Sequence, residues 1–489
     1  MLNSNGRALR TGILTNCNVD MISLGPDWDL LEPTEGIYDW TDYIDNDLNT
    51  IHCNGHGQAV LLRIHTMGGC APTGNTPCWV FRAMGQPDCT TVTSGITYGF
   101  VDNGDQRVIP VFWNPTYLAK KRALIAMAGA HITANAQFNS QVQVVVISYA
   151  NAITEDWNVP HDNTPGPTPT EVDLWLEPPP AGAGYTTQKM IDAAIHQVDA
   201  TFTDGVIIGT TLTSASAVFT QADVGHQIRG SGFRSSPPTT ITAWVSPTQV
   251  TLSLSQPATH NARSFTIVGR RDGLIDVAMA AFPSQYIATA ENSNGSDLDI
   301  SCIAYTTGTC LAETVNAMAW GVYGNRYIVQ RNNVTAIIPT IDEATGTAWV
   351  ILRDTANLGR PTAGQALSNC FNDITYQMNG GNNCLPTCTP SPTPTPCTGD
   401  CAITYQQELD FSGEHLATYN ASYYEVYYLD AANLSLANLH GLFTGVGCPT
   451  PTVTPTATPT ATVGCPTPTP TPAVTPTATP TPTPTPQCF

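Results

Sequence analysis

Glu155 is the residue whose type and position best fit acid–base chemistry. It follows the apolar run 142–150, in a polar loop that continues with Asp156 and Trp157. A carboxyl group beside a second negative charge keeps its proton to higher pH, as a general acid requires. We therefore predict a catalytic role for Glu155, against the plainer interpretation of a solvated loop glutamate.

A second carboxylate is needed, because carboxyl-based hydrolysis divides proton donation and nucleophilic attack between two side chains. Glu425 lies inside the predicted strand 423–429, where strand alternation puts it on one face with Tyr423 and Tyr427. Burying an acid in a strand is costly unless it faces a polar site or a partner. Glu291 begins a polar loop after another apolar run and is the further candidate.

The elements that must position these side chains are short apolar runs alternating with helical stretches. Such runs are typical of parallel strands buried on both faces, and the alternation predicts an α/β fold with right-handed crossovers. The predicted strands are 19–25, 58–66, 142–150, 285–290, 326–330, 362–368 and 423–429.

The segment WDLLEPTEGIYDWTDYID, at 28–45, resembles the stretch after the second strand of clan A glycoside hydrolases, notably the β-galactosidase-like barrels. VLLRIHTMGG resembles their third strand, and VVVISYANAITEDWNVPH their fourth, which ends with the acid/base glutamate. AGQALS and YEVYYLDAANL resemble the last two strands. The resemblance implies a (β/α)8 TIM-type barrel whose first strand lies upstream or within residues 1–14. It also implies Glu155 as acid/base at the barrel mouth.

The same resemblance predicts an extracellular glycoside hydrolase that cleaves β-linked oligo- or polysaccharide, with carbohydrate as its partner and no cofactor. GQALSNCF matches the seventh strand but offers no acid before Asp373, so Glu425 is the candidate nucleophile. Trp28 and His65 are predicted sugar contacts, since aromatic faces stack on pyranose rings and a strand-end histidine donates to hydroxyls. Asp156 and Trp157 complete the predicted substrate-binding set.

Composition divides the chain into a mosaic. A Thr/Ser/Val-rich stretch with alternating apolar residues predicts an inserted module of short antiparallel strands, and FTQADVGHQIRG resembles small β-modules of phage tails. Pro-Thr repeats cannot form helices or central strands and predict an extended stalk. The predicted units are the first part of the barrel at 1–204, the β-module at 205–270, the barrel continued at 271–383, a Cys-flanked Pro/Thr insertion at 384–401, the last barrel helix and strand at 402–446, and the stalk at 447–489.

Charge and cysteine content limit the partners and the compartment. The net charge of −20 repels nucleic acid and anionic lipid, and no run of 18 apolar residues is present, so we expect neither partner and no membrane insertion. Fifteen cysteines predict disulfides in a secreted or cell-surface protein, with at least one thiol left over because the count is odd. Cys384–Cys401 contains no histidine, and we predict no metal there.

A competing hypothesis remains open. In it the barrel is a degenerate scaffold, and the protein is a non-catalytic surface, adhesion or filament-forming protein that self-assembles through its stalk or β-module. The seventh-strand segment without an acid and the two Pro/Thr segments favour this hypothesis. The acidic loop at Glu155 and the segment 28–45 favour the enzyme.

Overall fold

The structure is a computed structural model of the chain, and it describes part of the sequence. The described residues are 2–4, 14–15, 19, 21–66, 75–87, 89–102, 105–147, 171–291, 315, 318–319, 321–331, 350–353 and 421–425. The predicted strand 362–368, the insertion 384–401 and the stalk 447–489 lie outside them, as does most of 402–446.

Fourteen strands and eight α-helices are described with their bounds, together with a π-helical turn at Thr41–Asp45 and 3-10 turns at Gln221–Asp223 and Gly324–Arg326. The strands are β1 Leu2–Ser4, β2 Met21–Gly25, β3 Ala59–Arg63, β4 Thr97–Asp102, β5 Asp105–Pro110, β6 Val142–Val146, β7 Gln197–Thr213, β8 Gln227–Gly230, β9 Thr239–Ser246, β10 Gln249–Arg271, β11 Tyr286–Glu291, β12 Tyr327–Arg331, β13 Val350–Arg353 and β14 Ala421–Glu425. The α-helices are α1 Trp28–Leu31, α2 Asn46–Asn54, α3 Cys78–Ala83, α4 Pro115–Ala134, α5 Ala136–Gln141, α6 Glu171–Leu176, α7 Thr187–Ala194 and α8 Leu274–Ala281.

Eight of the strands form one parallel sheet in the order β1-β2-β3-β6-β11-β12-β13-β14. Its residues alternate between two apolar layers. Leu24, Leu62, Val145 and Ile287 belong to the main core, which includes the helices. The neighbouring strand positions Leu61, Val144, Val146, Ala288 and Ile328 form a second, smaller cluster. Burial on both faces explains why these strands read as continuous apolar runs.

The predicted (β/α)8 barrel is contradicted. Among the described residues the parallel strands form a row whose ends, β1 and β14, do not pair with each other, and no clear eightfold strand–helix repeat is present. A two-stranded antiparallel sheet, β4 with β5, stands in the β3-to-β6 connection before α4. Apolar runs encode burial of a parallel sheet, but closure depends on pairing the first strand with the last, which the pattern of hydrophobicity does not specify.

Helix α4 is the longest helix of the described residues, and its apolar side chains share the main core with the sheet. Asn114 caps it by accepting from the backbone N–H groups of Thr116 and Tyr117, at 2.9 and 3.2 Å, and Pro115 occupies its first turn. A Cβ on Gly129 of this helix would lie 2.5 Å from the carbonyl oxygen of Ala281 in α8. Glycine therefore permits the close approach of α4 and α8.

Residues 197–271 form a small barrel of four strands, β7 to β10, in which β9 pairs with both β8 and β10. The long strand β10 pairs with β7 throughout, with β9 through its first residues and with β8 through its last, while β8 pairs with β9. Its core is separate and includes Phe219, Ile241, Val250 and Phe265. The strands begin at Gln197, eight residues before the predicted start of the module. We call residues 197–271 the inserted barrel.

None of the described helices is long and apolar enough to cross a membrane. The Sγ atoms of Cys78 and Cys89 are 3.8 Å apart, longer than the roughly 2.05 Å of an S–S bond, so these two are not bonded to each other. Neither of them is a free thiol, and the disulfide pairing of the chain stays a prediction.

Candidate functional site

The carboxyl ends of β2 and β3 bring an aspartate and a histidine together. Backbone bonds continue beyond the strands, because His65 N donates to the Pro26 oxygen and Trp28 N donates to the His65 oxygen, both at 2.9 Å. This pairing places His65 Nδ1 2.9 Å from Asp27 Oδ1. When Nδ1 carries the proton toward Asp27, Nε2 is the acceptor nitrogen of the neutral ring.

Asn75 ties a second carboxylate, that of Asp29, to this pair. Its side-chain amide donates to Asp27 Oδ1, and its backbone oxygen accepts from Asp29 N at 3.1 Å. Asp27 and Asp29 are therefore positioned by one residue from the segment that follows β3. We call Asp27, Asp29, His65 and Asn75 the strand-end cluster.

Asp29 has the chemistry of an acid within this cluster. Its Oδ1 atom is buried without a hydrogen-bond partner among the described residues. Burial, and next the negative charge of Asp27, raise the pKa of the Asp29 carboxyl to about 6. Asp29 is thus a carboxyl group that can hold a proton in mildly acidic solution.

Glu32 organises the loop behind the cluster. It is buried, and it accepts from Trp28 Nε1 and from Gly36 N, each at 2.8 Å, and from the Tyr38 hydroxyl. Burial raises the pKa of Glu32 in spite of these bonds. The bond from Gly36 N fastens the turn that follows Glu32.

Trp28 is a core residue in this structure. Its side chain is 0% exposed and contacts Trp79 and Tyr117, with ring centroids 6.0 and 6.2 Å away. No ring face is open for stacking on a sugar, so Trp28 supports the site from behind. His65 is also buried, at 5% exposure, but it belongs to the strand-end cluster.

The structure describes only some of the carboxylates that were predicted from the sequence. Glu155, Asp156 and Trp157 lie outside the described residues. Glu291 and Glu425 are the last residues of β11 and β14, with two strands between them. The sheet register links Glu291 to Arg331 and Glu425 to Arg353, which puts both glutamates at the carboxyl edge that also carries the strand-end cluster.

Comparison with known proteins adds no family. No protein-family model matches the chain, and no curated protein matches it. Within the described residues, no group of three or more His, Cys, Asp or Glu side chains is arranged to hold a metal ion.

His65 was among the site residues predicted from the sequence, whereas Asp27, Asp29 and Asn75 were not. A usable signal was present for the two aspartates, because GPDWD follows the run ISLG directly and ligands gather outside the carboxyl ends of parallel strands. Asn75 carries no such signal. It reaches Asp27 from 48 positions away along the chain, a distance that only the fold closes.

Proposed function

We propose that this protein is an extracellular glycoside hydrolase of β-linked oligo- or polysaccharide, acting at the carboxyl edge of the parallel sheet. The observation that carries the proposal is the strand-end cluster: a buried Asp27–His65 pair beside Asp29, whose Oδ1 has no hydrogen-bond partner among the described residues. Glycosidic cleavage requires one carboxyl group that is protonated and one that is ionised, and such sites lie at strand ends.

Asp29 takes the role of general acid in this proposal and protonates the leaving glycosidic oxygen. Its pKa of about 6, raised by burial and by Asp27, suits that role in a mildly acidic medium. The second carboxylate comes from Glu155, Glu291 or Glu425, the candidates of the sequence. His65, oriented by Asp27, contacts a substrate hydroxyl through its ring.

The charge of the loop selects for a neutral saccharide. Burial, together with the charges of Asp39, Asp42, Asp29 and Asp27, raises the pKa of the Tyr43 hydroxyl, so four carboxylates act on this one side chain. A polyuronate would bring further negative charge to this surface and be repelled. We expect neutral glucans, galactans, mannans or xylans to be preferred over polyuronates.

The test is hydrolysis of a panel of aryl β-glycosides and of neutral and uronate polysaccharides at pH 5.5. Wild type is compared with Asp29→Asn, Glu155→Gln, Glu291→Gln and Glu425→Gln. The matched control is Glu35→Gln, because Glu35 is 56% exposed and pairs only with Lys120 among the described residues. We expect cleavage by wild type and the control, and losses of about 10²–10⁴-fold in Asp29→Asn and in one of the glutamate variants.

If wild type cleaves a substrate and Asp29→Asn keeps full activity, Asp29 is not the general acid. The catalytic pair would then come from the three glutamates. No cleavage of any substrate by a folded wild-type protein would overturn the proposal. The second candidate, a non-catalytic surface protein, would then stand. It is favoured by the inserted barrel, which has a core of its own, and by the Pro/Thr run. Sedimentation of the full chain would then test self-assembly.

A further inference from the structure

The inserted barrel joins the rest of the protein through two chain crossings that lie side by side. One crossing, at His196, links α7 to β7, and the other, at Asp272, links β10 to α8. Asp272 N donates to the His196 oxygen at 3.1 Å. Both crossings therefore form one junction, and any change in the barrel's attachment acts there.

An imidazole–carboxylate pair fastens this junction. His196 Nδ1 is 2.7 Å from Asp272 Oδ1, with side chains 29% and 11% exposed. From α4, Arg122 Nη1 approaches the other oxygen of Asp272 at 3.5 Å. Asp192, on α7, adds a second negative charge near His196, while Arg122 opposes protonation. Asp272, Asp192 and Arg122 are thus the charged groups that act on the His196 ring.

Asp276 is the second fastening, and it is 1% exposed. Its Oδ2 accepts from His196 N at 2.8 Å and from Gly273 N at 3.1 Å, which bonds it to both crossings. Its Oδ1 accepts from the Tyr323 hydroxyl and lies 3.5 Å from Arg271 Nη1.

The two crossings are in contact without spare room. A Cβ on Gly273 would lie 2.4 Å from the oxygen of Ala194 and 2.5 Å from the Cα of Ile195. Beside them, the short 3-10 turn Gln221–Asp223 of the barrel packs on α8. Because the two crossings are this close, losing the charge of one side chain at the junction weakens the contacts between them.

We propose that this junction is a pH-sensitive latch, fastened in mildly acidic medium by the ion pair of protonated His196 with Asp272, and loosened above neutral pH when His196 loses its proton. The inserted barrel is then held firmly on α7 and α8 under acidic conditions and opens locally more often under alkaline ones. This inference is independent of the proposed hydrolase activity, because it concerns residues outside the strand-end cluster.

The direction follows from linkage. The hydrogen bond to Asp272 raises the pKa of His196 above its ordinary value of 6.5, so its contribution is complete below 6.5 and is lost as pH rises through the folded-state pKa. Asp272 has a lowered pKa, since the hydrogen bond from His196 and the charge of Arg122 outweigh burial, and its contribution is lost only in acid, below the ordinary 3.8. Burial raises the pKa of Asp276, which also favours the junction at lower pH. The latch is therefore strongest between about 4 and 6.5.

The test is hydrogen–deuterium exchange of the full chain at pH 5.5 and pH 8.0, with rates corrected for intrinsic exchange, followed in peptides that span 190–200 and 268–280. In wild type we expect protection in both peptides to fall severalfold at pH 8.0. In His196→Gln we expect the same low protection at both pH values. The matched control is His226→Gln, since His226 lies in the same barrel but its Nδ1 is 2.9 Å from a backbone oxygen, that of Val268, rather than from a carboxylate. It should keep the wild-type response.

Asp192→Asn gives a second, milder variant, because Asp192 acts on His196 through charge and its side-chain hydrogen bond is with Gln188 at 2.7 Å. In this variant we expect a smaller difference in protection between pH 5.5 and pH 8.0, while the hydrogen bonds of the junction remain. Equal protection of wild type at both pH values would overturn the latch. A His196→Gln protein whose protection falls at pH 8.0 as much as that of wild type would also overturn it. If His196→Gln does not fold, an Asp192→Asn protein with the full wild-type fall in protection would overturn it instead.

Discussion

Asp27 and His65 form a parallel bridge pair two residues beyond the ends of β2 and β3, and their side chains meet at 2.9 Å. The contact joins residues 38 positions apart. It depends on the backbone bonds between Pro26, His65 and Trp28, which carry the β2–β3 pairing past the strands. The pair is therefore a product of sheet register as much as of residue type.

Asp27→Asn should destabilise the protein by about 1–3 kcal/mol, because Asp27 Oδ1 accepts from both His65 and Asn75 and a buried donor would lose its charged partner. Urea unfolding followed by circular dichroism measures the change. Glu35→Gln, which removes an exposed ion pair with Lys120, should cost less than about 1 kcal/mol. An Asp27→Asn protein as stable as this control would show that the pair contributes nothing.

Asp29→Asn should change how stability depends on pH. The folded-state pKa of about 6 exceeds the ordinary 3.8, so the folded protein binds the proton more tightly and wild-type stability falls as pH rises from about 4 to 6. The substituted amide does not titrate, so the stability of the variant should lack the part of this decrease that Asp29 causes. Melting temperatures at half-unit steps from pH 4 to 7 measure the slope, with Asp42→Asn at an exposed position as control. Identical slopes in wild type and Asp29→Asn would refute the assignment.

Gly129→Ala should cost about 1–3 kcal/mol, although alanine ordinarily favours a helix over glycine by about 1 kcal/mol. The added Cβ would lie 2.5 Å from the oxygen of Ala281 and force α4 away from α8. Gly321→Ala is the matched control, because a Cβ there meets nothing within 4 Å. Urea unfolding of both variants separates packing from helix propensity. A stabilised Gly129→Ala protein would mean that the two helices are not in close contact.

Arg270→Met should lower the stability of the inserted barrel by about 3–5 kcal/mol, because it leaves the carboxylate of Asp223 buried without its ion-pair partner. Arg270 Nε lies 2.9 Å from Asp223 Oδ1, and the side chains are 2% and 0% exposed. Hydrogen exchange across 197–271 reports the loss locally. Arg229→Met, at an exposed arginine of the same barrel, should leave exchange near the wild-type level. Equal effects of the two substitutions would contradict a specific role for the buried pair.

Local chemistry made much of the secondary structure predictable. The runs at 19–25, 58–66 and 142–150 contain β2, β3 and β6, since continuous apolar residues fit strands covered on both faces. β13, at Val350–Arg353, was not predicted, and β1 lies within the residues where a misread first strand was expected. These strands are only four and three residues long, too short for a periodic signal.

The sequence by itself determined the apolar strands of a parallel sheet, the strand-rich stretch that becomes the inserted barrel, and His65 as a residue at a strand end. Each follows from residue type and period within one short segment. Tertiary structure alone decided that the sheet order runs from β1 to β14 without pairing of its ends in the described chain, and that Asn75 joins Asp27 to Asp29. It also buried Trp28 and set His196 against Asp272, 76 positions away. Such contacts depend on which distant segments pack together. The free energy that selects this packing comes from contacts throughout the core, so no local sequence pattern specifies it.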